Sequence, residues 1–502
     1  MYQVPNAQWL DTETIRQRFP YKPDSILIGA LGSNLVGIKD DRHIMTVAGS
    51  RSGKSVHLAN NLFHYSGSCL VIDPKGELAN LTAQRRKKGL GQDVYILDPF
   101  KKCRKDLEEC RASYNPLSIL TMDNPTFLED AGLIADALVI GNQYADPHWD
   151  ESARNFLEGV ILHVATKANL FGPRNLVTVF QTINQKSLRE DKEFSEGDGE
   201  EENGPEEEVT SLEALKLDMF ANVQNLKERA SLEGERLNDI ADALEAAAVD
   251  FFDKPDRERD SVLSTVRRHI KFLGYGSMQS VLVDHDFDLT ALKTNPKGMT
   301  VYLCLPAGRM GACNRWLRLF VNLVLEAMER VETLPDLPVL LCLDEFPILG
   351  YMKQIEDAAG QIAGFGVKLW PILQDLGQLK SLYRDRWETF MGNAGVIQFF
   401  GNNDLTTLEY IQKRLGKTAL EIKRQRDEPS LSGKEHQPIV PHIEHHDLVT
   451  VDEAARYFGR SDNLKRQLVL IDGVGMVIQR VEHYNPESPG YLQFKGLLDG
   501  DH

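Results

Sequence analysis

A lysine and a serine close a short glycine-containing segment near the start of this 502-residue chain. Residues 46–55 read TVAGSRSGKS and end in Gly53, Lys54 and Ser55. The apolar run HIMTVA leads into this segment and a helical pattern follows it. A loop between a strand and a helix binds phosphate well, because its N–H groups turn inward and the helix amino terminus faces the anion. We therefore expect ATP and Mg²⁺ here, with Lys54 reaching the β- and γ-phosphates and the Ser55 hydroxyl binding the metal ion.

We expect the nucleotide contacts to come from the whole predicted phosphate loop and from the residues at its two ends. Its members are Ala48, Gly49, Ser50, Arg51, Ser52, Gly53, Lys54 and Ser55. Ala48 stands where the strict form of the motif has glycine. A small side chain is sufficient there, because the position only has to leave room for the loop.

Two carboxylates follow a second apolar run, VLLCLDEFPILG, in which Asp344 and Glu345 stand at a predicted strand end. We expect Asp344 to hold Mg²⁺ through water and Glu345 to polarise the attacking water as general base. One strand later, VKLWPILQ ends in Gln374, where an amide can sense the γ-phosphate. Together these side chains predict a hydrolytic site around the phosphate loop.

The charge on a triphosphate usually also requires an arginine, which a neighbouring subunit often supplies. Arg42, twelve residues before Lys54, is one candidate. Arg309, just past the run VYLCLP, and Arg51, within the loop, are two others. The residues alone leave the choice among the three open.

Short apolar runs rich in β-branched residues, followed by glycine and a helical pattern, recur along the chain. They are HIMTVAG, SCLVIDPKG, DVYILDP, MTVYLCLP, VLLCLDE, VKLWPILQ and GVIQFFGN. Runs that are apolar at nearly every position are typical of strands buried on both faces of a parallel sheet. Their alternation with helices predicts a doubly wound α/β fold.

The stretch from about Pro116 to Gly274 has helical periodicity in place of these runs. We therefore predict an all-α domain at 117–274, inserted into a nucleotide-binding α/β domain made of 1–116 and 275–502. Near the carboxyl end, QLVLIDGVGMVIQRVEHY predicts a hairpin.

Charge is distributed unevenly along the chain, whose formal net charge is −17. The run from Glu190 to Glu208 contains eleven acidic residues and one lysine, which leaves −7 for the remainder. Such a low-complexity, self-repelling run predicts a solvated loop within the helical domain. From Lys417 to Val449 the chain is polar and poor in apolar periodicity.

Composition argues against several other classes of protein. We expect no membrane span and no secretion leader, because we find neither a bilayer-length apolar run nor a charged-then-apolar start. The six cysteines form no CxxC pair and three lie inside apolar runs, so neither a disulfide framework nor a zinc site is expected. The basic runs RRKKG at 85–89 and VRRHIK at 266–271 could contact phosphates, but charge on helix surfaces is the commoner meaning and is the interpretation that we adopt.

Taken in order, the motifs resemble those of one family, the type IV secretion coupling proteins of the TraG/TraD kind. The matching segments are DDRHIMTVAGSRSGKS, VIDPKGEL, YNPL, HWDESARNFLEGVILHV, SVLSTVRRHI, VYLCLPAGR, LLCLDEFPILG, AGFGVKLWPILQDLGQL and FFGNND. The resemblance extends over most of the chain, from about residue 25 to residue 490. The ordered set of segments is highly specific, whereas the phosphate loop is the one segment that would be specific alone.

The resemblance implies a RecA-like P-loop NTPase domain with a helical domain inserted after YNPL. It also implies an active ring of six subunits whose ATP sites lie between neighbours. The nucleotide-site positions of the family are matched here by Lys54, Ser55, Asp344, Glu345 and Gln374. The resemblance further implies that Arg42 is the arginine placed just before the phosphate-loop strand.

Two features of the chain depart from the family's pattern. Some members carry a basic residue ahead of the strand that ends in glutamine, where this chain has Ile362, Ala363 and Gly364. Typical members begin with two membrane-spanning helices, which we do not find here. Three explanations remain open: the anchor was removed, a separate protein supplies it, or the chain is a naturally soluble variant. In each case we expect a cytoplasmic chain that reaches the bacterial inner membrane, as a peripheral protein, through a partner.

The predicted function is an ATP-hydrolysing coupling protein that recruits substrate and pumps it into a type IV secretion or conjugation channel. The implied partners are single-stranded DNA, a relaxase or relaxosome and the channel proteins, and the implied active form is a homo-hexamer. Two alternatives remain open: an FtsK/HerA-type translocase that serves DNA processing, and a substrate receptor that binds nucleotide with little turnover. The presence of both Asp344 and Glu345 argues against the receptor.

Overall fold

The computed structural model describes residues 6–141, 146–167, 173–184, 211–424 and 440–497. These residues form thirteen strands: β1 Ile26–Leu31, β2 Asn34–Ile38, β3 His43–Ala48, β4 Cys69–Asp73, β5 Asp93–Leu97, β6 Met299–Cys304, β7 Val339–Leu343, β8 Val367–Leu373, β9 Ala394–Phe400, β10 Lys417–Arg424, β11 Val440–Asp447, β12 Arg466–Ile471 and β13 Val474–Gln479.

The α-helices of the described residues are α1 Thr12–Arg18, α2 Lys54–His64, α3 Glu77–Gln84, α4 Phe127–Leu138, α5 Pro147–Thr166, α6 Leu176–Asn184, α7 Ser211–Glu233, α8 Arg236–Phe252, α9 Asp256–Ile270, α10 Gly276–Gln279, α11 Ala291–Thr294, α12 Ala307–Arg330, α13 Lys353–Gln361, α14 Leu376–Tyr383, α15 Trp387–Asn393, α16 Leu405–Leu415 and α17 Val451–Tyr457. A π-helical turn spans Arg85–Gly89, and short 3₁₀ turns span Lys105–Cys110, Pro116–Ile119, Lys271–Gly274, Phe346–Leu349, Ile362–Phe365, Arg384–Arg386 and Tyr491–Gln493.

One large sheet organises the molecule, in the strand order β2-β1-β13-β12-β9-β3-β8-β7-β4-β6-β5. The strands from β9 to β5 in this order pair in parallel, and they coincide with the seven apolar runs of the sequence. Beyond β9, the strands β12, β13, β1 and β2 continue the sheet in antiparallel pairing. The predicted doubly wound α/β fold is confirmed.

Alternate residues of the parallel strands face two hydrophobic cores on opposite sides of the sheet. In β3, Met45 and Val47 belong to one core and Ile44 to the other. The first core includes side chains of α4 to α9 and α12 to α16. The second includes α1, α2 and α3. Because helices cover both faces, the strands are apolar at nearly every position.

The late hairpin is present as β12 and β13, which pair antiparallel next to β9. A further hairpin, β1 with β2, is not predicted from the sequence. Its strands meet at Gly32, which has a φ of 61°. Gly29 and Gly37 interrupt the two apolar runs, so these strands lack the continuous signal of the parallel ones.

The polar stretch from Lys417 to Val449 also contains paired strands that the sequence does not reveal. β10 and β11 pair antiparallel with each other in a separate two-stranded sheet. Leu420 and Ile443, on the two strands, are half exposed at 49% and 50%. The two strands pair through their backbones, and the polar residues that predominate in them give no apolar pattern in the sequence.

Aspartate residues begin the helices that follow two of the parallel strands. Asp375 accepts a hydrogen bond from the Gln378 N–H at 2.9 Å at the start of α14. Asp404 accepts one from the Thr407 N–H at 2.8 Å at the start of α16. These N-caps satisfy free helix donors and allow the chain to turn directly from a strand end into a helix.

Between 117 and 274 the described residues form helices and no strand. Their apolar side chains, such as Phe156 and Ile240, belong to the same core as Leu343 of β7. The domain division at 117–274 stays a prediction. The acidic run at 190–208 lies outside the described residues.

One buried arginine connects this helical segment to the turn after β7. Arg318 on α12 donates hydrogen bonds to the carbonyls of Leu349 and Tyr351 at 2.8 and 2.7 Å. It also donates to the Ala137 carbonyl, in α4, at 3.4 Å. Burial lowers the pKa of Arg318 to about 10, which leaves the side chain charged at neutral pH.

The longest described helices are α12, with 24 residues, and α7, with 23. Both carry charged side chains along their length. None of the helices that the structure describes has the length and apolarity needed to span a bilayer.

The interpretation of RRKKG as surface charge is wrong for Arg86. This side chain is fully buried and donates hydrogen bonds of 2.8 to 2.9 Å to the carbonyls of Leu62, Tyr65 and Gly67. It also donates to the Thr300 hydroxyl at 2.6 Å. Arg86 therefore joins the end of α2, the entry to β4 and the strand β6.

We expect Arg86→Met to lower the melting temperature strongly, because several buried carbonyls lose a charged donor. Leaving a buried carbonyl without its donor costs about 1–3 kcal/mol of stability. Thermal unfolding followed by circular dichroism measures the shift. The matched control is Lys88→Met, which replaces an exposed amine in the same basic run. Equal melting temperatures for the two variants would contradict the assigned role.

Candidate nucleotide-binding site

Four parallel strands end side by side at the edge of the sheet where the phosphate loop lies. In the order β3-β8-β7-β4, their carboxyl ends lead into the phosphate loop, Gln374, the pair Asp344 and Glu345, and Asp73. Ligands of open α/β sheets bind at this edge. A cleft of about 1040 Å³ lies there. The predicted site residues that line it are Ser50, Arg51, Ser52, Gly53, Lys54, Ser55, Asp344, Glu345 and Gln374.

The phosphate loop has a backbone conformation suited to anions. Arg51 and Gly53 both lie in the left-handed region, with φ of 55° and 97°. Such residues turn successive N–H groups toward one side, which makes a concave donor surface. The Ser52 hydroxyl donates to the Gly49 carbonyl at 2.5 Å, which closes the loop on itself. Since α2 begins at Lys54, its first N–H groups also point out of the helix end that meets the loop.

The loop lies directly against the turn that follows β9. The Gly49 N–H donates to the Phe400 carbonyl at 3.1 Å. A Cβ atom on Gly49 would come within 1.9 Å of the Gly401 carbonyl oxygen. A Cβ atom on Gly401, whose φ is 67°, would lie 2.4 Å from the Ser52 Cβ. Glycine is therefore required on both sides of this contact. Ala48, which ends β3 just before Gly49, is fully buried.

The Lys54 amine lies within the loop. It donates to the Ala48 carbonyl at 3.0 Å and to the Gly49 carbonyl at 3.4 Å. Burial lowers the pKa of this amine, and the charges of Glu345 and Asp344 oppose that shift. A partly desolvated cation beside inward N–H groups is well placed to bind the terminal phosphates of a nucleotide.

The two acids that follow β7 differ in environment. Glu345 adopts the left-handed conformation, with φ 54° and ψ 45°, which is uncommon for a residue other than glycine. Its N–H donates to Asp344 Oδ1 at 3.1 Å. Burial, with a smaller contribution from the charge of Glu345, raises the pKa of Asp344 to about 6. A buried carboxylate of this kind is stabilised strongly by a bound cation.

Gln374 connects the general-base candidate to the turn after β9. Its Nε2 lies 3.3 Å from each carboxylate oxygen of Glu345. Its backbone carbonyl accepts a hydrogen bond from Asn402 Nδ2 at 3.1 Å. An amide so placed can orient a water molecule for the base.

Further residues line the cleft that no sequence motif marked as part of the site. At the end of β4, burial raises the pKa of Asp73 to about 6, and its carboxylate accepts a hydrogen bond from the Ala79 N–H at 2.9 Å. The opposite wall comes from the β12–β13 hairpin and its flanks, through Arg460, Lys465, Arg480, Glu482 and Tyr484. Asp73 has a visible signal, since it ends an apolar run in VIDPKGEL. The hairpin residues belong to no motif.

Arg42 is not part of this cleft in its own chain. It precedes β3 and therefore lies at the amino-terminal edge of the sheet, whereas the phosphate loop lies at the other edge. Its guanidinium pairs with Asp40 at 2.6 Å and with Asp472 at 2.8 Å. The hydrogen bonds that the guanidinium donates to these two carboxylates raise the pKa of Arg42.

The other two arginine candidates lie on the cleft side of the molecule. Arg51 lines the cleft as part of the loop. Arg309, near the start of α12, lies with its guanidinium 6.0 Å from the centre of the Phe100 ring.

Ser55 and Asp344 both line the cleft, and their side-chain oxygen atoms could hold a divalent cation. Mg²⁺ usually takes one or two such ligands and completes its shell with phosphate oxygens and water. The described residues hold no separate cluster of three or more histidine, cysteine or acidic side chains suited to a metal ion. The donor set therefore fits a Mg²⁺ ion that binds together with a nucleotide.

We expect Asp344→Asn to raise the melting temperature of the nucleotide-free protein at neutral pH. The pKa of Asp344 rises from its ordinary 3.8 to about 6 on folding, so ionisation of this carboxyl opposes folding. Ionisation of Asp344 lowers the free energy of unfolding by about 3 kcal/mol above pH 6. This loss disappears below about pH 4, where the carboxyl is protonated in both the folded and the unfolded chain. Thermal unfolding from pH 4 to 8 in EDTA measures this dependence.

The matched control is Asp260→Asn, which replaces an exposed carboxylate on α9. Its melting temperature should follow that of the unmodified chain across the pH range. If Asp344→Asn is less stable than the unmodified chain at pH 7.5, the assigned pKa is wrong.

The chain is similar to proteins of conjugal transfer. It is 25% identical over 395 residues to a conjugal transfer protein TraG of Escherichia coli, covering 76% of this chain and 56% of that protein. A second TraG of Escherichia coli is 24% identical over 444 residues, with 85% and 63% covered. VirD4 of Agrobacterium fabrum is 27% identical over 390 residues, with 74% and 49% covered. The chain thus spans 49–63% of the length of these curated relatives.

The fold is similar to that of the plasmid coupling protein TrwB. The TrwB complex with ADP and Mg²⁺ aligns with a TM-score of 0.64 at 14% identity, over 95% of this chain and 94% of that one. The unbound TrwBdeltaN70 aligns with a TM-score of 0.66 at 13% identity, over 95% and 93%. A family model described as Type IV secretory system Conjugative DNA transfer matches residues 6–439. Since this match covers most of its length, the chain belongs to the type IV secretory system conjugative DNA transfer family.

Proposed function

We propose that this chain is an ATP-hydrolysing coupling protein that recruits substrate and moves it into a type IV secretion channel. The observation that carries the proposal is the contact of Gln374 with Glu345 in the cleft that contains Lys54. A base, an orienting amide and a phosphate loop in one cleft are the parts that phosphoanhydride hydrolysis needs. Membership of the conjugative DNA transfer family supports the transport role.

ATP and Mg²⁺ are the ligands that we propose for the cleft. TrwB, whose fold is similar, forms complexes with ADP and Mg²⁺ and with a non-hydrolysable ATP analogue. In this chain, the N–H groups of the loop and the Lys54 amine would bind the phosphates. Ser55 and Asp344 would hold Mg²⁺, which neutralises charge on the phosphate oxygens.

Hydrolysis would use the two side chains that already touch. Glu345 would accept a proton from the attacking water, and Gln374 would orient that water toward the γ-phosphate. The carboxylate of Glu345, whose backbone is left-handed, lies beside Gln374, whereas the side chain of Asp344 is buried. The two neighbouring acids would therefore have different roles: Glu345 would accept a proton from water, and Asp344 would hold the metal ion.

The active form that we propose is a homo-hexamer with ATP sites between neighbouring subunits. Arg42 supports this proposal, because it lies at the edge of the sheet opposite to its own phosphate loop. A head-to-tail ring brings different surfaces of successive subunits together, so Arg42 would reach the neighbour's nucleotide. Its pairs with Asp40 and Asp472 would hold the guanidinium at the interface.

The substrates and partners that we propose are single-stranded DNA with its relaxase, or protein, together with the channel proteins of the secretion system. The chain would work at the cytoplasmic side of the bacterial inner membrane and contact the membrane through a partner protein. Family membership and the TraG and VirD4 relatives support these assignments.

ATP turnover should depend on the residues of the cleft. We expect Lys54→Ala to abolish turnover by weakening nucleotide binding. We expect Glu345→Gln to bind nucleotide normally and to lower kcat by about 100-fold or more, because the base is lost. Phosphate release, measured with and without single-stranded DNA, gives the rates, and titration with a fluorescent ADP gives the affinities.

The control for both variants is Lys353→Ala, an exposed lysine at the start of α13, which should leave turnover unchanged. Stimulation by DNA that persists in Lys54→Ala would overturn the site assignment. Absence of turnover in the unmodified chain, with or without DNA, would favour a nucleotide-binding receptor.

A mixing experiment tests the shared site. We expect Lys54→Ala and Arg42→Ala to be inactive separately and to recover turnover when mixed. In a random ring of equal parts, about a quarter of the interfaces combine an intact loop with an intact Arg42 of the neighbour. Turnover of the mixture should therefore approach about a quarter of the unmodified rate.

The matched mixture is Lys54→Ala with Glu345→Gln. Both residues belong to one cleft of one subunit, so no complete site can form and no recovery is expected. Recovery in this mixture, or none in the first, would contradict an arginine acting between subunits.

A further inference from the structure

The antiparallel hairpin formed by β12 and β13 contributes a direct contact to the phosphate loop. Arg480 follows β13 and its Nη1 donates a hydrogen bond to the Ser52 carbonyl at 2.5 Å. The two residues are 428 positions apart in the sequence. Arg480 also lines the cleft.

The phosphate loop needs such a partner for a geometric reason. Its N–H groups can converge on an anion when the carbonyl groups of the loop point outward. Each outward carbonyl that is shielded from water then needs its own donor. The Gly49 carbonyl is satisfied from within the loop by the Ser52 hydroxyl and by Lys54. The Ser52 carbonyl is satisfied from outside, by Arg480.

Arg480 is itself held firmly in place. Its Nε donates to the Lys465 carbonyl at 3.3 Å and its backbone N–H donates to the same carbonyl at 2.8 Å. Its guanidinium lies 5.2 Å from the centre of the Phe400 ring. Phe400 ends β9 and accepts the hydrogen bond from the Gly49 N–H. The end of β9 therefore supports the phosphate loop directly and also supports the arginine that contacts the loop.

Burial makes the contact strong. The side chain of Arg480 is partly buried, and this burial lowers the pKa of its guanidinium. A hydrogen bond from a desolvated guanidinium is stronger than one in solvent. The carbonyl of Ser52 is thereby fixed in one orientation, and with it the peptide plane whose N–H belongs to Gly53.

We propose that Arg480 is a positioning residue of the nucleotide site, which holds the Ser52 carbonyl outward so that the phosphate loop presents its N–H groups to ATP. The inference rests on the proposed nucleotide binding. It assigns a role in that binding to the carboxyl-terminal hairpin, which lies outside the parallel part of the sheet. Arg480 contacts the loop, whereas Lys54, Glu345 and Gln374 act on the reacting phosphate and water.

The test compares Arg480→Met and Arg480→Lys with the unmodified chain. Titration with N-methylanthraniloyl ADP in Mg²⁺ measures affinity, and ATP turnover measures KM and kcat. We expect Arg480→Met to weaken ADP binding by about tenfold or more, because the released Ser52 peptide would have to be reoriented each time the loop binds phosphate. KM should rise by a similar factor while kcat stays within about twofold, since the residue does not touch the reacting groups. Arg480→Lys keeps one donor and should lose less affinity.

The matched control is Arg466→Met on the same hairpin, whose arginine pairs with Asp462 at 2.8 Å. It should bind ADP as the unmodified chain does, and the melting temperatures of the nucleotide-free variants show whether each has folded. Unchanged affinity in Arg480→Met, or an equal loss in Arg466→Met, overturns the inference while the proposed function stands. An unmodified chain that binds no nucleotide overturns both.

Discussion

A contact between two backbones determines the geometry of the site. Gly49 and Gly401 approach so closely that neither can carry a side chain, and this approach presses the phosphate loop against the turn after β9. The next residue in that turn, Asn402, hydrogen bonds to the backbone of Gln374, whose amide contacts Glu345. The place of the loop and the place of the base are therefore set by one turn. Any side chain at either glycine would move the loop relative to the acids.

The site concentrates charge and backbone strain that oppose folding. Asp344 and Asp73 are buried carboxylates whose pKa values rise to about 6, and Lys54 is a partly buried amine whose pKa falls. Glu345 has a left-handed backbone although it is not glycine. Such features persist where the surrounding structure supports them, and here two hydrophobic cores enclose the strands that carry the residues. A nucleotide with its metal ion would supply the opposite charges that these groups lack.

Much of the fold and the centre of the site could be predicted from the sequence. Strands buried on both faces produce continuous apolar runs, and all seven such runs are parallel strands of the sheet. Side chains that follow such strands must meet at one edge, so Lys54, Asp344, Glu345 and Gln374 could be placed together before any distance was known. The hairpin β1–β2 and the pair β10–β11 were not predicted, because glycines or polar residues interrupt the continuous apolar run in these strands.

The residues alone specify the elements whose signal is local: the continuous apolar run of each parallel strand, the glycines of the loop and the residue type at each of these strand ends. Only the tertiary structure decides which residues from distant parts of the chain contact these elements. Arg86 and Arg42 both stand in charged segments, yet one is buried against carbonyls and the other pairs at the far edge of the sheet. Arg480 reaches Ser52 across 428 positions. A basic side chain carries no local sign of the carbonyl or carboxylate that it will meet, because folding of the whole chain brings that partner to it.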